Sequence, residues 1–417
     1  MQPTIAAVLS PAQRGVYAAI QAVAAERGAD VYLVGGAVRD WLMQRPVGDL
    51  DFSIAGDAIE FARALQQSHG GELQTHEKFR TATWHSMGLQ TDIASARRET
   101  YPHPAALPLV APATIEQDLP RRDYTINAMA LRLRDGALLD QLGGQADLAR
   151  GLMRALHPRS FIDDPTRILR GARYAAQFNF EIEPLTRGWM DVGLVYVRSL
   201  SGERIKYDLE LIFDMAAPEE ALLLLHEWGF FKFAGIVVPE PELLRERCTA
   251  VRGNLHEWNT SGLGLESGEV TRAVLWGALL YNLGQMSAAR WIEWIPFTTE
   301  VRDALASLGV LSTLSASLFT AKPSRQSELL RPFGGLALLI GWLFDRSAVK
   351  CDAMRAEWHR WRSRQPVTGG DDLRAMGLPP GPRYRALLDR LRDAWLDGEV
   401  QSADEERALL TRLLREP

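Results

Sequence analysis

The sequence predicts an α+β N-terminal head, a small mixed sheet with helices, followed by an all-α neck, body and tail. Short apolar runs and alternating apolar and polar residues, which are typical of strands, concentrate in residues 1–150. Beyond that point apolar residues recur at helical spacing. Glycine and proline breaks near residues 151, 217 and 323 predict four segments. These are the head at 1–150, the neck at 151–217, the body at 218–323 and the tail at 324–417.

Each element of the head has its own signal in the sequence. Pro11 opens a predicted helix within residues 1–30, because proline is tolerated in the first helical turn. Residues 31–34 form an apolar run that stops at two glycines, which predicts a buried strand and a tight turn. The other predicted elements are helices at 37–43 and 57–69, strands at 50–54, 81–86, 89–96, 129–133 and 138–140, and a proline-rich loop at 101–120.

The composition is that of an ordinary globular protein, with 47% hydrophobic and 24% charged residues. Cys248 and Cys351 match no metal or redox spacing, which favours a reduced, cytoplasmic setting. We expect no signal peptide and no membrane partner, since the apolar stretch at 333–344 is shorter than the roughly 20 residues of a membrane span. The net charge of −5 does not favour nucleic-acid binding, but arginines are dense at 154–173 and 355–364.

Three aspartates are candidate catalytic residues. Asp49 and Asp51 lie two apart on a predicted strand, so their side chains point to one face. Two such carboxylates can bind a pair of Mg²⁺ ions, which stabilise the attacking and leaving oxygens of an in-line displacement. Asp92, on a later strand, is a candidate third carboxylate, either a ligand or a base for an attacking hydroxyl. The alternative for each aspartate is an ordinary solvated strand end.

Two glycines precede this pair and suggest a phosphate site. Gly35 and Gly36 lie between a strand and a helix, where backbone N–H groups can approach phosphates closely. Arg39, one turn into the helix, can reach the same phosphates. An isolated Gly-Gly pair is usually only a turn, but its position shortly before the paired aspartates favours a nucleotide site.

Four ordered motifs carry a family resemblance. They are residues 35–40 with 49–51, residues 121–130, residues 163–167 and residues 203–209. Together they resemble the class II CCA-adding enzymes and bacterial poly(A) polymerases, within the superfamily that includes DNA polymerase β. The likeness covers residues 31–213 and is thin beyond about residue 225. Asp163 and Asp208 stand where that family usually has glutamate, and no His-Asp phosphohydrolase signature occurs at residues 278–282.

Asp164 and Arg167 are candidate base-selecting residues. They lie three apart on a predicted helix and so share a face. A carboxylate can accept the amino hydrogen of cytosine or adenine, while the guanidinium donates to the ring acceptor beside it. Uracil and guanine present a carbonyl instead, which leaves the carboxylate unpaired at a cost. The alternative is a surface salt bridge, but the resemblance implies that the pair acts as a protein template.

Further arginines complete the predicted nucleotide site. Arg122, with Arg121, is expected to bind the triphosphate, and Arg170 and Arg173 could hold either the triphosphate or the base pocket. In the tail, arginines mix with tryptophans or follow the GLPPGP break, a pattern that suits contact with tRNA. The alternative is an amphipathic helix with its tryptophans packed inside. The tail arginines concerned are Arg360, Arg362, Arg364, Arg383 and Arg385.

The motifs therefore predict an Mg²⁺-dependent enzyme that adds CCA to the 3′ end of tRNA. The partners expected are CTP, ATP and the tRNA acceptor arm. In the predicted reaction the terminal 3′ hydroxyl attacks the α-phosphate and pyrophosphate leaves. Four alternatives remain open at this point: a specialist that adds only A, a specialist that adds only CC, a poly(A) polymerase, and a non-catalytic RNA-binding protein on the same fold.

Overall fold

A seven-stranded mixed sheet with the order β3-β4-β5-β2-β1-β8-β9 forms the centre of the N-terminal region. The structure, a computed structural model, describes residues 4–283 and 285–415. The strands are β1 Val31–Val34, β2 Leu50–Ile54, β3 Glu72–His76, β4 Thr81–Ser86, β5 Leu89–Ser95, β6 Arg97–Thr100, β7 Leu109–Pro112, β8 Ala130–Arg132, β9 Leu138–Leu139, β10 Leu152–Met153 and β11 Glu181–Ile182.

Helices cover the sheet and make up most of the remaining chain, which confirms the predicted fold class. They are α1 Pro11–Arg27, α2 Gly36–Leu42, α3 Ala58–His69, α4 Ile115–Asp118, α5 Gly144–Arg150, α6 Ser160–Asp163, α7 Thr166–Phe178, α8 Pro184–Gly193, α9 Gly202–Phe213, α10 Pro218–Glu227, α11 Phe230–Ala234, α12 Pro241–Asn254, α13 Ser267–Leu280, α14 Gln285–Trp294, α15 Thr299–Thr313, α16 Pro323–Leu330, α17 Gly335–Phe344, α18 Ala348–Ala356, α19 Gly370–Ala375, α20 Pro382–Leu396 and α21 Ala403–Arg415.

The chain divides into two compact units. The first comprises Met1–Asp208 with Glu220–Gly235, and the second comprises Leu209–Glu219 with Ile236–Pro417. The predicted division into four segments by residue number remains a prediction. In the second unit the apolar helix α17 is almost wholly buried, as an internal helix of a domain should be. Within the described residues no single helix is long and apolar enough to cross a membrane, although α16 and α17 reach that length and composition together, with a 110° bend between them.

Local sequence signals fix the elements that position the site. Ser10 and Gln13 form a capping box at the start of α1, and Gly28 ends the helix in the left-handed conformation. All four residues of β1 are buried, because β1 lies between β2 and β8 in the middle of the sheet. The helix predicted within residues 1–30 begins at Pro11 and ends at Arg27.

The structure corrects two predictions about strands. Residues 101–120 are not all loop, because β6 and β7 pair as an antiparallel ribbon from Arg97↔Pro112 to Thr100↔Leu109. A two-stranded ribbon has no fully buried face, so alternation is weak in its sequence. The neck, which was predicted to be all helical, also contains two short strands, because β10 and β11 form a parallel pair. Two residues are too few to show a period.

Gly171 in α7 is required by a close approach to Tyr124. The Tyr124 hydroxyl donates to the carbonyl of Arg167 at 2.7 Å, and a Cβ atom on Gly171 would lie 2.1 Å from that hydroxyl. We expect Gly171→Ala to lower the free energy of unfolding by about 1–3 kcal/mol through overpacking. Urea unfolding measures this. Gly188→Ala in α8 is the control. A Cβ atom on Gly188 would meet no other atom within 4 Å, so this change should not destabilise the protein. Equal stability of Gly171→Ala and the unmodified chain would contradict this packing.

Candidate active site

The three candidate carboxylates lie side by side on neighbouring strands. β2 and β5 run parallel, and Asp51 is the direct register partner of Asp92. Asp49 immediately precedes β2. Asp92 accepts a hydrogen bond of 2.6 Å from the Thr83 hydroxyl, which fixes one of its oxygens. The predicted placement of Asp92 beside the pair is therefore confirmed, while its chemical role remains a prediction.

The surroundings of Asp51 have the electrostatics of a cation site. Burial raises the pKa of its carboxyl to about 6, with Asp92 and Asp49 adding to the rise and Arg122 opposing it. A nearby cation would relieve this repulsion between like charges. Among the residues that the structure describes, no group of three or more His, Cys, Asp or Glu side chains could hold a metal ion. Aspartate oxygens are ligands that Mg²⁺ accepts in proteins, so Asp49 and Asp51 are the residues that would hold such an ion.

A turn of two glycines lies next to Asp51. Gly35 has φ = 69°, a conformation that favours glycine. A Cβ atom on Gly35 would lie 3.4 Å from Arg122 Nη1 and 4.0 Å from an Asp51 oxygen. The turn therefore leaves room between the arginine and the carboxylate, at the position where a triphosphate is predicted to bind.

Asp118, which was not predicted from the sequence, holds Arg121 and Arg122 in place. Its side chain is 0% exposed. One oxygen accepts from Arg121 Nη2 at 2.7 Å and the other from Arg122 Nη2 at 2.9 Å. Burial by itself would raise the pKa of Asp118, but Arg122 and Arg121 outweigh it and hold the pKa below its ordinary value. The spacing of three and four residues before the arginine pair was the available sequence signal.

Arg39 is held by protein partners rather than presented to the cavity. It is buried, and it donates to Asp40 Oδ1 at 2.9 Å and to Asn127 Oδ1 at 2.7 Å. Its guanidinium also lies 4.5 Å from the ring centroid of Phe178. This arrangement differs from the predicted phosphate contact, which would require Arg39 to leave Asn127. A Cβ atom on Gly36 would lie 3.3 Å from Arg39 Nη2, so the guanidinium lies beside the glycine turn, and its contact with phosphate remains a prediction.

The base-selecting pair is present, but in a different geometry. Asp164 is not on the helix as predicted, because it lies between α6 and α7 in an extended conformation. Its Oδ1 accepts three hydrogen bonds, at 3.0 and 2.6 Å from Thr166 and at 2.6 Å from Arg204 Nη2. Arg167 donates to Ser160 Oγ and, at 2.6 Å, to the carbonyl of Arg121. The pair therefore does not form the alternative surface salt bridge.

The next two arginines of α7 have separate surroundings. Arg170 Nε lies 3.4 Å from Asp208 Oδ1, and burial would lower its pKa, but Asp208, Asp123 and Asp164 raise it above its ordinary value. Arg173 lies with its guanidinium 4.6 Å from the ring centroid of Tyr174. A triphosphate contact of Arg173 remains a prediction, since its observed contacts are with this ring and its hydroxyl.

A cavity of about 380 Å³ brings most of the predicted nucleotide site together. Three of its lining residues, Arg97, Glu99 and Tyr101, come from β6 and its following turn and were not predicted. The Tyr101 hydroxyl donates to Glu99 at 2.7 Å, and Glu99 pairs with Arg121 at 2.8 Å. The lining residues are Gly35, Gly36, Asp51, Arg97, Glu99, Tyr101, Pro108, Arg121, Arg122, Asp123, Asn127, Asp164, Arg167, Arg170 and Tyr174.

Arg204 is a second residue whose contact was missed. It donates to the carbonyl of Ala105 at 2.9 Å. It also touches the base-selecting carboxylate directly, through the hydrogen bond to Asp164. The position of Arg204 in the fourth motif was the available sequence signal. Its distance of 40 residues along the chain gave no indication of a contact with Asp164.

The tail arginines differ in their contacts and in their exposure to solvent. Arg362 donates to the carbonyl of Phe333 at 2.5 Å and lies over Trp358, so it supports the fold. Arg364 lies 4.1 Å from the ring centroid of Trp395. Most of the group is exposed to solvent, and tRNA contact remains a prediction for all five. The exposed members are Arg360, Arg364, Arg383 and Arg385.

Comparison with known proteins places this geometry in a family. Residues 31–154 match the family described as the Poly A polymerase head domain. The chain is 32% identical to the CC-adding tRNA nucleotidyltransferase of Deinococcus radiodurans, covering 92% of this chain and 90% of that protein. It is 30% identical to the A-adding tRNA nucleotidyltransferase of Geobacter sulfurreducens, covering 92% of this chain and 45% of that protein.

A solved structure shows the same fold over the whole length. The apo form II of a CCA-adding enzyme superposes with a TM-score of 0.81 at 25% identity, covering 98% of this chain and 97% of that one. The chain spans about half or less of the A-adding relatives that it matches. The likeness to the Deinococcus protein, in contrast, extends over nine-tenths of both chains. The protein therefore belongs to the class II CCA-adding family of tRNA nucleotidyltransferases.

Proposed function

We propose that this chain transfers nucleotides from CTP and ATP to the 3′ end of tRNA, adding C, C and A. The observation that carries the proposal is the register pairing of Asp51 with Asp92, because Asp51 lines a cavity that Asp164 and Arg167 also line. One end of this cavity suits phosphoryl chemistry and the other suits recognition of a base edge. A cytoplasmic location follows from this proposal.

The residues around Asp51 supply the requirements of nucleotidyl transfer. Mg²⁺ held by Asp49 and Asp51 would neutralise the charge that develops on the triphosphate. Arg122, fixed by Asp118, faces the space beside Gly35 and would bind the departing pyrophosphate. Asp92 would orient the 3′ hydroxyl of the RNA and accept its proton, with Thr83 holding the carboxylate in place. Positioning and charge neutralisation are the main contributions that this reaction needs from a protein.

The free oxygen of Asp164 supports selection of C and A. All three hydrogen bonds of this carboxylate in the described structure fall on Oδ1, which leaves Oδ2 without a partner. A carboxylate oxygen in a buried site needs a donor, and the amino group of cytosine or adenine supplies one. Uracil and guanine would place a carbonyl against it. Arg167, fixed by Ser160 and the Arg121 carbonyl, would donate to the neighbouring ring acceptor.

Specialised addition is the second candidate, and the relatives favour it. Two A-adding relatives match with 42% and 46% identity over 220 and 171 residues, and the Deinococcus relative is CC-adding. The residues that read C or A would be shared by all three activities, since both bases present an amino donor. The number of nucleotides added must therefore be decided by experiment.

A gel assay with Mg²⁺ separates these possibilities. Transcripts of one tRNA ending before CCA, after C and after CC are incubated with CTP, ATP or both. Completion of all three to full length supports CCA addition. Growth only of the CC-ending transcript with ATP indicates the A-adding specialist, and arrest at CC indicates the CC-adding one. Long adenylate tails would indicate a poly(A) polymerase. Binding of tRNA without any extension would leave only the non-catalytic RNA-binding alternative.

A further inference from the structure

Two stacked aromatic rings on α7 carry a cluster of arginines beside the active-site cavity. Tyr174 and Phe178 lie one turn apart, with ring centroids at 6.3 Å and an interplanar angle of 20°. Arg173 lies 4.6 Å from the centroid of Tyr174, and Arg45 lies 5.1 Å from that of Phe178. Arg39 lies 4.5 Å from the Phe178 centroid. The guanidinium planes are therefore held by ring faces, which reduces their conformational freedom.

The positive charge of this cluster exceeds what its neighbours neutralise. Arg39 is paired with Asp40 at 2.9 Å. Neither Arg45 nor Arg173 forms an ion pair within residues 4–283 and 285–415, and Arg173 Nε is buried without a hydrogen-bond partner. Asp208 interacts electrostatically with Arg173, but its hydrogen bond is made with Arg170. Like charges held this close repel one another, so an external anion would stabilise the arrangement.

The cluster begins where the cavity ends. Tyr174 lines the cavity with Gly35 and Asp51, whereas Arg45 and Arg173 are not among the described residues that line it. The incoming triphosphate has Arg122 and the glycine turn within the cavity. An anion bound by Arg45 and Arg173 would therefore lie beyond the residues that line the cavity. Guanidiniums and aromatic faces together suit phosphodiesters and bases of single-stranded RNA.

We infer that Arg45 and Arg173, mounted on Phe178 and Tyr174, form a binding surface for the backbone of the RNA strand whose 3′ end enters the cavity. This inference rests on the proposed function, because it requires an RNA substrate. It assigns Arg173 to RNA rather than to the triphosphate, and it adds Arg45, which no sequence motif had singled out. The surface supplies affinity without reading sequence, since phosphates carry no base information.

The test measures RNA binding and nucleotide binding separately on the full chain. The probe is a tRNA transcript that ends before CCA, titrated between 50 and 200 mM salt, and the nucleotide probe is CTP. We expect Arg45→Gln and Arg173→Gln each to weaken RNA binding about threefold to tenfold at low salt, and to reduce the slope of log Kd against log salt by about 0.7. Binding of CTP should be unchanged. Arg45 is exposed, so its variant remains informative if Arg173→Gln unfolds.

Arg187→Gln is the matched control. Arg187 is also a surface arginine of the first unit, but it is paired with Asp191 at 2.6 Å. Its loss should leave RNA binding unchanged, and an equal loss in this control would show a general charge effect and overturn the inference. Weaker binding of CTP, or unchanged RNA binding, in the Arg45 and Arg173 variants would also overturn it. Failure of the unmodified chain to bind RNA would instead overturn the proposed function.

Discussion

Asp51→Asn is expected to abolish nucleotide addition while making the folded protein more stable at neutral pH. Extension should fall at least about 10³-fold, because the change removes a charge placed where the transferring phosphate is neutralised. The stability gain follows from the raised pKa of Asp51, which shows that burial and the neighbouring carboxylates disfavour its ionised form. Asparagine keeps the shape and removes that charge. Thermal unfolding and the gel assay on one preparation measure both effects.

The raised pKa of Asp51 determines how its effect on folding stability changes with pH. Its pKa rises from 3.8 in the unfolded chain to about 6 in the folded one. The folded state therefore holds the proton more tightly, and this contribution to stability is present below pH 3.8 and lost as the pH rises through 6. The stabilisation by Asp51→Asn should thus appear above pH 6 and vanish near pH 4. Asp57→Asn is the control. It should change neither nucleotide addition nor stability, because aspartate and asparagine are both good N-caps for α3. A destabilised Asp51→Asn protein at pH 7 would contradict this electrostatic picture.

Extension by the unmodified protein should rise with pH through about 6 at saturating substrate. Below that value Asp51 is protonated and cannot serve as a ligand, because a neutral carboxyl binds cations poorly. Initial rates between pH 5 and 8, at two Mg²⁺ concentrations, measure this. More Mg²⁺ should move the midpoint to lower pH, since the ion competes with the proton. A rate that is independent of pH across this range would exclude Asp51 as the controlling group.

Asp164→Asn is expected to relax the choice of base. Oδ1 must remain an oxygen, because it accepts hydrogen bonds from Thr166 and Arg204. The amide NH₂ then replaces the free Oδ2 and presents a donor to the base. Uracil and guanine gain a donor for their carbonyl but still present a ring N–H to Arg167, while cytosine and adenine lose the acceptor for their amino group. The ratio of CTP to UTP use should therefore fall by about 10²-fold. Single-turnover incorporation of each nucleotide measures this ratio.

The adjacent Asp163→Asn is the matched control for base choice. Asp163 is buried and paired with Arg159 at 2.9 Å, and it is not among the residues that line the cavity. Its variant should keep the preference for CTP and ATP even where stability falls. If Asp164→Asn kept the original preference, or if Asp163→Asn altered it equally, the role of the free Asp164 oxygen would be refuted.

Sequence periodicity predicted the placement of the candidate carboxylates, because their positions depend on regular strands. The two-residue spacing of Asp49 and Asp51 sets their common face, and a parallel pairing with the strand of Asp92 then completes the group. Asp164 was harder to place. Its residue type and neighbourhood were predicted, but Pro165 separates α6 from α7, so the helical spacing assumed between Asp164 and Arg167 does not apply.

The residues that the sequence did not predict owe their roles to tertiary packing. Asp118 contacts arginines nearby in sequence, yet its importance comes from complete burial, which no local pattern reveals. Arg204 reaches Asp164 from forty residues away. Arg39 lies one turn beyond Gly36, but its contacts with Asn127 and the ring of Phe178 come from distant parts of the chain. Such contacts depend on tertiary packing, and they decide which charged side chains remain available to substrate.

The most direct measurement follows the phosphorus atoms of the nucleotide. The full chain is incubated with Mg²⁺, a tRNA transcript ending in CC, and ATP labelled with ³²P at either the α or the γ position, with parallel reactions using CTP and a transcript ending before CCA. We predict that α label becomes attached to the RNA in at least one reaction, that γ label appears only in pyrophosphate, and that Asp51→Asn prevents both. Transfer of γ label to RNA, or no transfer of α label to any transcript, would contradict nucleotidyl transfer at this site.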